Sequence, residues 1–404
     1  MAPDPVTLDL GRPARALFRL REDGSFLNHG SYGACPRAVQ AAQDALRAEF
    51  ESHPDAFMAR LKPDDEHQGI RAAAAGIAAF VGSTAGRMAF VENATSGVQT
   101  ALNAMPLRAG DEVLATDHQY NAVRLAIEAR CAQIGAVPRV VALPLPTSPA
   151  EILQRVLDAI GPRTRLAVLD HLTSPSALLL PVEELTAELR RRGIRVLVDG
   201  AHAVGQLPLD LPALGADWYV SNGHKWLYTP RGTAFLHVAA EAANFTRPLQ
   251  TSHYIESGFP TAFDYIGTRD YTAWLAVPAA LQFVRALGSE RLHAHNAHLI
   301  DVGSEAVAGA GALPVAPRDA SVWMRAFILP QHRAATNEDA AHVIRTLWER
   351  ERIQIRCAVV AGRLLLRFCA QAYVAAEEMQ RLGEALRRHG WPDASPEARP
   401  DAQR

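Results

Sequence analysis

The stretch V-L-V-D-G-A-H-A-V-G-Q, residues 196–206, runs a short apolar segment into an aspartate and then breaks into small residues. Consecutive apolar residues without polar alternation fit a strand covered on both faces, as in a parallel sheet flanked by helices. The same texture continues on either side. Toward the N-terminus lie M-A-F-V-E-N (88–93), E-V-L-A-T (112–116), V-P-R-V-V-A-L-P-L (137–145) and T-R-L-A-V-L-D (164–170). Toward the C-terminus lie D-W-Y-V-S (217–221) and T-A-F-L-H-V (233–238). Most of these are separated by amphipathic, helix-like segments. The expectation is an α/β domain with a mainly parallel sheet between helices, whose ligand site lies beyond the carboxyl ends of its strands.

After about residue 268 the pattern changes. One long helical stretch (271–287) and a second (290–308) lead to a strand-like V-W-M-R-A-F-I-L-P and the helix E-D-A-A-H-V-I-R-T-L-W-E-R-E. Two candidate paired strands, I-Q-I-R-C-A-V-V and R-L-L-L-R-F-C-A, then meet around Ala361 and Gly362, ahead of a last helix. The chain divides on this reading into an N-terminal arm and helix (1–50) at the mouth of the site, a large domain (51–267), a smaller α+β domain (268–390) and a disordered polar tail (391–404).

Composition narrows the function. The 404 residues are 49% hydrophobic and 21% charged, enough for a sizeable core. A formal charge of −2 supplies no basic field for nucleic acid or an anionic membrane surface. No apolar run reaches the length of a membrane span, and the first residues lack a signal-type apolar core. Cys35, Cys131, Cys357 and Cys369 are scattered without metal spacing, so no metal is expected and a reducing cytoplasm fits.

Asp199 closes its strand, and Lys225 follows 26 residues later inside S-N-G-H-K-W-L-Y-T-P-R-G-T (221–233). A lysine among Trp226, Tyr228 and a proline–glycine break is either an ordinary surface residue beside a turn or an amine kept dry for nucleophilic work. Pyridoxal phosphate needs such a pair: an amine to hold its aldehyde, and a carboxylate to keep its ring nitrogen protonated. N-A-T-S-G (93–97) begins a helix after a strand, where free amides suit a phosphate, although the same residues serve as a plain helix cap. Asn222 and His224 stand ready to add donors.

D-G-A-H-A-V-G-Q followed by S-N-G-H-K-W-L-Y-T-P-R-G resembles the class V aminotransferase family of fold-type I pyridoxal phosphate enzymes. F-L-N-H-G-S-Y-G-A-C-P (26–36) and G-T-R-D-Y-T-A-W-L-A-V-P (267–278) are similar to its isopenicillin N epimerase-like branch, and ergothioneine-pathway C–S lyases are similar in the same segments. The resemblance runs from about residue 25 to 388. It implies Lys225 as the cofactor's Schiff-base lysine and proton carrier, Asp199 at the ring nitrogen and His202 near the ring oxygen. Ala94, Thr95, Asn222 and His224 would hold the phosphate, and Thr268 would reach the phosphate of a partner subunit in a homodimer. The ring-stacking side chain would by position be His118, with Tyr120 as the competitor; Ser174, or its neighbour Thr173, would touch the ring oxygen. Arg367 would grip the substrate carboxylate, and Asn28 and Tyr32 would line the substrate mouth.

The implied reaction is at the α-carbon of an amino acid, epimerase-like. A C–S lyase acting on a cysteine conjugate such as hercynylcysteine sulfoxide comes second and an aminotransferase third; a binding module without turnover is the reading from another class. Cys357 lies only ten residues before Arg367, in a strand rather than the flexible loop that carries a desulfurase cysteine. Cys369 and Val374 stand where related sequences often have serine and asparagine.

Overall fold

The computed structural model describes residues 8–62 and 69–390; the tail assigned to 391–404 lies outside them, as does the start of the N-terminal arm. In chain order, β1 is Ser25–Phe26, and β2 to β8 are Met88–Val91, Glu112–Thr116, Val137–Val141, Thr164–Asp170, Arg195–Asp199, Trp218–Asn222 and Ala234–Val238. β9 to β13 are Leu313–Pro314, Met324–Ile328, Ile353–Gln354, Arg356–Val360 and Arg363–Cys369.

β2 to β8 form a seven-stranded sheet in the order β2-β8-β7-β6-β5-β3-β4. The pairs from β4 through β3, β5 and β6 to β7 are parallel, and β8 runs antiparallel to both β7 and β2. Since β8 alone is reversed, the carboxyl ends of the other six strands open on one edge of the sheet. Strands β3, β5, β6 and β7, and the edge strand β2, are buried almost throughout, as their unbroken apolar runs require. The helices Ala94–Ala104 and Asn121–Ile134 close one face through a core of residues such as Val98, Ile127 and Val220. The opposite face merges into a larger core that continues under the small sheet.

Two expected elements come out differently. The single helix over 271–287 divides into Thr272–Leu275 and Val277–Leu287, because Pro278 has no N–H to continue the ladder. The strand expected over 137–145 stops at Val141, ahead of Pro144; its own Pro138 is tolerated because β4 is an edge strand.

The second sheet is antiparallel, in the order β12-β13-β10-β9. β12 and β13 join through Ala361 and Gly362, both at positive φ (48° and 72°), the backbone that a two-residue hairpin turn needs. β1 pairs in parallel with β11, which ties the N-terminal segment to the residues leading into β12. That link carries residues 27–36 across the carboxyl edge of the large sheet.

Candidate active site

Lys225 sits in a short helix, Gly223–Trp226, directly after β7. Trp226 and Tyr228 are fully buried around it, and Tyr228 adopts a left-handed φ of 57° so that its hydroxyl donates to Gln371. The backbone is clamped as well. His29 bridges the Lys225 carbonyl (2.8 Å) and the Tyr373 hydroxyl (2.8 Å), and burial pushes its pKa down to about 4, so the bridge is a neutral imidazole. Gly33, at φ 66°, lies so close to the His224 carbonyl that a Cβ there would strike it. The buried aromatics after the lysine and the N-terminal segment therefore both fix its backbone.

The amine is 3.0 Å from His202 Nε2. Burial pulls its pKa down to about 7, and the Arg367 guanidinium pushes the same way. A lysine so placed offers free amine near neutral pH, which a solvated lysine does not. Burial, and then the neighbouring Lys225, hold His202 well below the usual imidazole range. A neutral ring accepting at Nε2 carries its hydrogen at Nδ1, and that buried nitrogen has no partner among the described residues.

Asp199, at the end of β6, is buried, and its Oδ1 accepts the Ala201 amide at 3.0 Å. Burial holds its pKa above the usual carboxylate range, against the opposing pull of the Ala201 amide and of Lys225. In register beside it on β5 stands Asp170, a residue whose importance the sequence did not reveal. Its carboxyl is buried, Oδ2 is unpartnered, and burial together with the charge of Asp199 lifts its pKa well above the carboxylate range. Two adjacent buried carboxyls cannot both ionise. Asp199 has the cation nearby, so Asp199 holds the charge and Asp170 the proton. Asp170→Asn is accordingly expected to leave cofactor affinity within a few fold, whereas Asp199→Asn weakens it by more than an order of magnitude. Equilibrium titration of the cofactor-free proteins by absorbance measures both.

At the end of β2, the Asn93 side chain caps the helix Ala94–Ala104 through the Ser96 amide (2.9 Å), and Asn222 Oδ1 takes the Ala94 amide (2.9 Å). The Thr95 amide is left without an acceptor among the described residues. Gly97 lets this helix lie on the sheet, since a Cβ would enter Val220. A helix N-terminus with a free amide, small hydroxyls and His224 nearby suits a phosphate.

These groups share a cavity of about 650 Å³ lined by Ala94, Thr95, Tyr120, Asp170, Ser174, Asp199, His202, Asn222, His224 and Lys225. A second cavity of about 910 Å³ continues from it past Asn28, Tyr32, Tyr120, Ser174, Lys225 and Arg367 toward the small sheet. Not every expected residue arrives. His118 is fully buried off the cavity, bonded to Ser176 Oγ (2.6 Å) and the Leu143 carbonyl (3.3 Å), while Tyr120 is 48% exposed and lines both spaces. Thr173 is likewise turned inward, capping the Leu178 amide (2.8 Å), and Ser174 faces the cavity. Thr268 is exposed and lines neither space within one chain.

Arg367 is buried, with 2% of its surface exposed. Nη1 donates to the Ser174 carbonyl (2.5 Å); Nη2 donates to Asn28 Oδ1 (3.0 Å) and Ser31 Oγ (3.2 Å). All its partners are neutral, and no carboxylate among the described residues pairs with it. A buried cation without a counter-ion is expensive, and a bound carboxylate would remove that expense. Cys357 also borders the larger cavity, but burial pushes its thiol up to about 12, which leaves no thiolate for attack.

Fold and site define a class: an enzyme built on a mainly parallel sheet, with a buried lysine of lowered pKa and a buried carboxylate pair at the strand ends. A sequence model of the aminotransferase class-V family matches residues 34–357, and the chain belongs to that family. It is 36% identical to isopenicillin N epimerase of Streptomyces clavuligerus over 89% of this chain and 93% of that one. It is 31% identical to an L-cysteine desulfhydrase of Arabidopsis thaliana over 64% of this chain and 60% of that one. Among solved structures, the cystine C–S lyase C-DES, in complex with its product cysteine persulfide, matches with a TM-score of 0.78 at 23% identity, covering 90% of this chain and 97% of that chain. That likeness shows the shared fold.

Proposed function

We propose that this enzyme labilises the Cα–H bond of an amino acid and returns the proton as an epimerase does. The observation that carries the reading is the Lys225 amine and the uncompensated Arg367 guanidinium bordering one cavity, with Asp199 behind the lysine. Pyridoxal phosphate is the cofactor, and the residues fit it: Lys225 for its aldehyde, Asp199 for its ring nitrogen, and Thr95, Ala94, Asn222 and His224 for its phosphate. Bound there, it supplies an acceptor for the electron pair left at Cα when the proton departs.

The chain's own groups do the rest. Arg367 takes the α-carboxylate in its fork and so fixes the amino acid's orientation. The Lys225 amine, with its low pKa, takes the α-proton and can return it. Tyr120, exposed to both cavities, is the candidate donor for protonation from the other side. Asn28 and Tyr32 line the mouth through which substrate arrives. A homodimer in the cytoplasm belongs to the same proposal, with Thr268 serving the partner's site.

The second reading, a C–S lyase on a cysteine conjugate, has support in the desulfhydrase relative and in a cavity roomy enough for a thioether substituent. The two separate in heavy water. Epimerisation yields amino acid deuterated at Cα, with the D-isomer accumulating and no pyruvate. Release of pyruvate and ammonia from cysteine conjugates would replace it with the lyase. Absence of any Cα exchange across a panel of amino acids, in protein loaded with cofactor, would end both.

A further inference from the structure

We propose that the site selects amino acids whose side chain carries a second carboxylate, and that Arg356 binds that group beside Arg367. The inference rests on the reading of Arg367 as the α-carboxylate site and extends it to the substrate's tail.

β12 and β13 are antiparallel neighbours, and Arg356 lies directly opposite Arg367 in their register. Directly opposite residues project from the same face of a sheet, with Cβ atoms roughly 5 Å apart, and like charges in that relation are destabilising. Arg356 is exposed, borders the larger cavity with Arg367, and has no carboxylate partner among the described residues. Two adjacent guanidiniums without acids between them form a standing repulsion that two anionic groups would relieve. Their depths differ: Arg367 is held at the inner end by Asn28, Ser31 and Ser174, while Arg356 stands further out.

The space between and beyond them suits a carbon chain. Ala340, Ala341 and Ile344 of the helix Asn337–Glu351, with Val359 of β12, give the cavity an apolar wall. At about 910 Å³ it lies near the upper end of the roughly 300–1,000 Å³ typical of small-molecule sites. A substrate the size of alanine would leave most of it empty. An amino acid with an alkyl stem ending in a carboxylate meets Arg367, the apolar wall and Arg356 in turn.

The test uses α-methyl-L-glutamate and α-methyl-L-glutamine, which match in shape and differ by one charge. Neither has a Cα–H, so binding to the cofactor-loaded enzyme is read by calorimetry whether or not the Cα–H reaction is correctly assigned. Wild type is expected to bind the glutamate analogue roughly tenfold more tightly. The preference should narrow as salt rises, because Arg356 is exposed. Arg356→Gln should bring the ratio near one, and Arg356→Lys should restore most of it. The melting temperature of Arg356→Gln should equal or exceed that of wild type, since a like-charge pair has been removed. A wild-type ratio near one, a ratio that survives Arg356→Gln, or failure of both ligands to bind overturns the proposal. So does loss of the ratio with a lowered melting temperature, which would make Arg356 a structural residue.

Discussion

Lys225→Ala is expected to lower kcat by at least about 10⁴-fold for whichever amino acid the wild type turns over, with the fold intact. General base catalysis alone contributes about 10²–10⁴, and the variant also loses the covalent tether that holds the cofactor in place. The side chain reaches into an open cavity, so its removal exposes no new core surface. Loss of the yellow lysine-bound absorption, with an unchanged melting curve of the cofactor-free protein, would separate chemistry from folding. The wild type adds a pH signature. With the amine's pKa near 7, capture of added cofactor by cofactor-free protein should slow as pH falls below 7, approaching tenfold per unit as the amine becomes protonated. Capture that stays fast well below that pH, or a Lys225→Ala variant with substantial turnover, would remove the lysine from its role.

Arg367→Gln should cost about 10²–10³ in kcat/KM, most of it in KM, without loss of thermal stability. A charge-assisted hydrogen bond is worth about 1.5–3 kcal/mol, and a two-pronged carboxylate grip uses two. The stability half follows from the site itself. Arg367 is a buried cation held only by neutral oxygens, so removing its charge ends an uncompensated desolvation. Glutamine can still donate to Asn28 or Ser174. A variant that melts well below wild type while retaining KM would recast Arg367 as structural support between the small sheet and the N-terminal segment.

The strands that build the site were legible because their information is local. β3, β5 and β6 end where their apolar runs end, since a strand covered on both faces stays apolar for its length and turns polar where it leaves the core. Asp199 and Lys225 could be read for the same reason: each stands just past such a run. The helix divided at Pro278 because one missing N–H outweighs an otherwise continuous pattern; β4 stops at Val141, beyond which the Leu143 amide donates to the Asp117 side chain instead of a strand neighbour.

Pairings between distant segments were not legible. His118 and Tyr120 are two residues apart, and the resemblance favours the histidine by position; the turn after β3 sends the histidine into the core and the tyrosine into the cavity. Asp170 gained meaning only when β5 and β6 were laid in register, and His29 only when its ring was found on the Lys225 carbonyl. Composition, apolar periodicity and strand-end residues therefore carry the α/β architecture and the lysine–aspartate pair. The proton sharing of Asp170 with Asp199, the unpaired charge of Arg367 and the arginine facing it across the hairpin arise from contacts between segments up to hundreds of residues apart. Local pattern specifies what a segment is; register and burial specify which charges must face each other, and a site's chemistry follows from those charges.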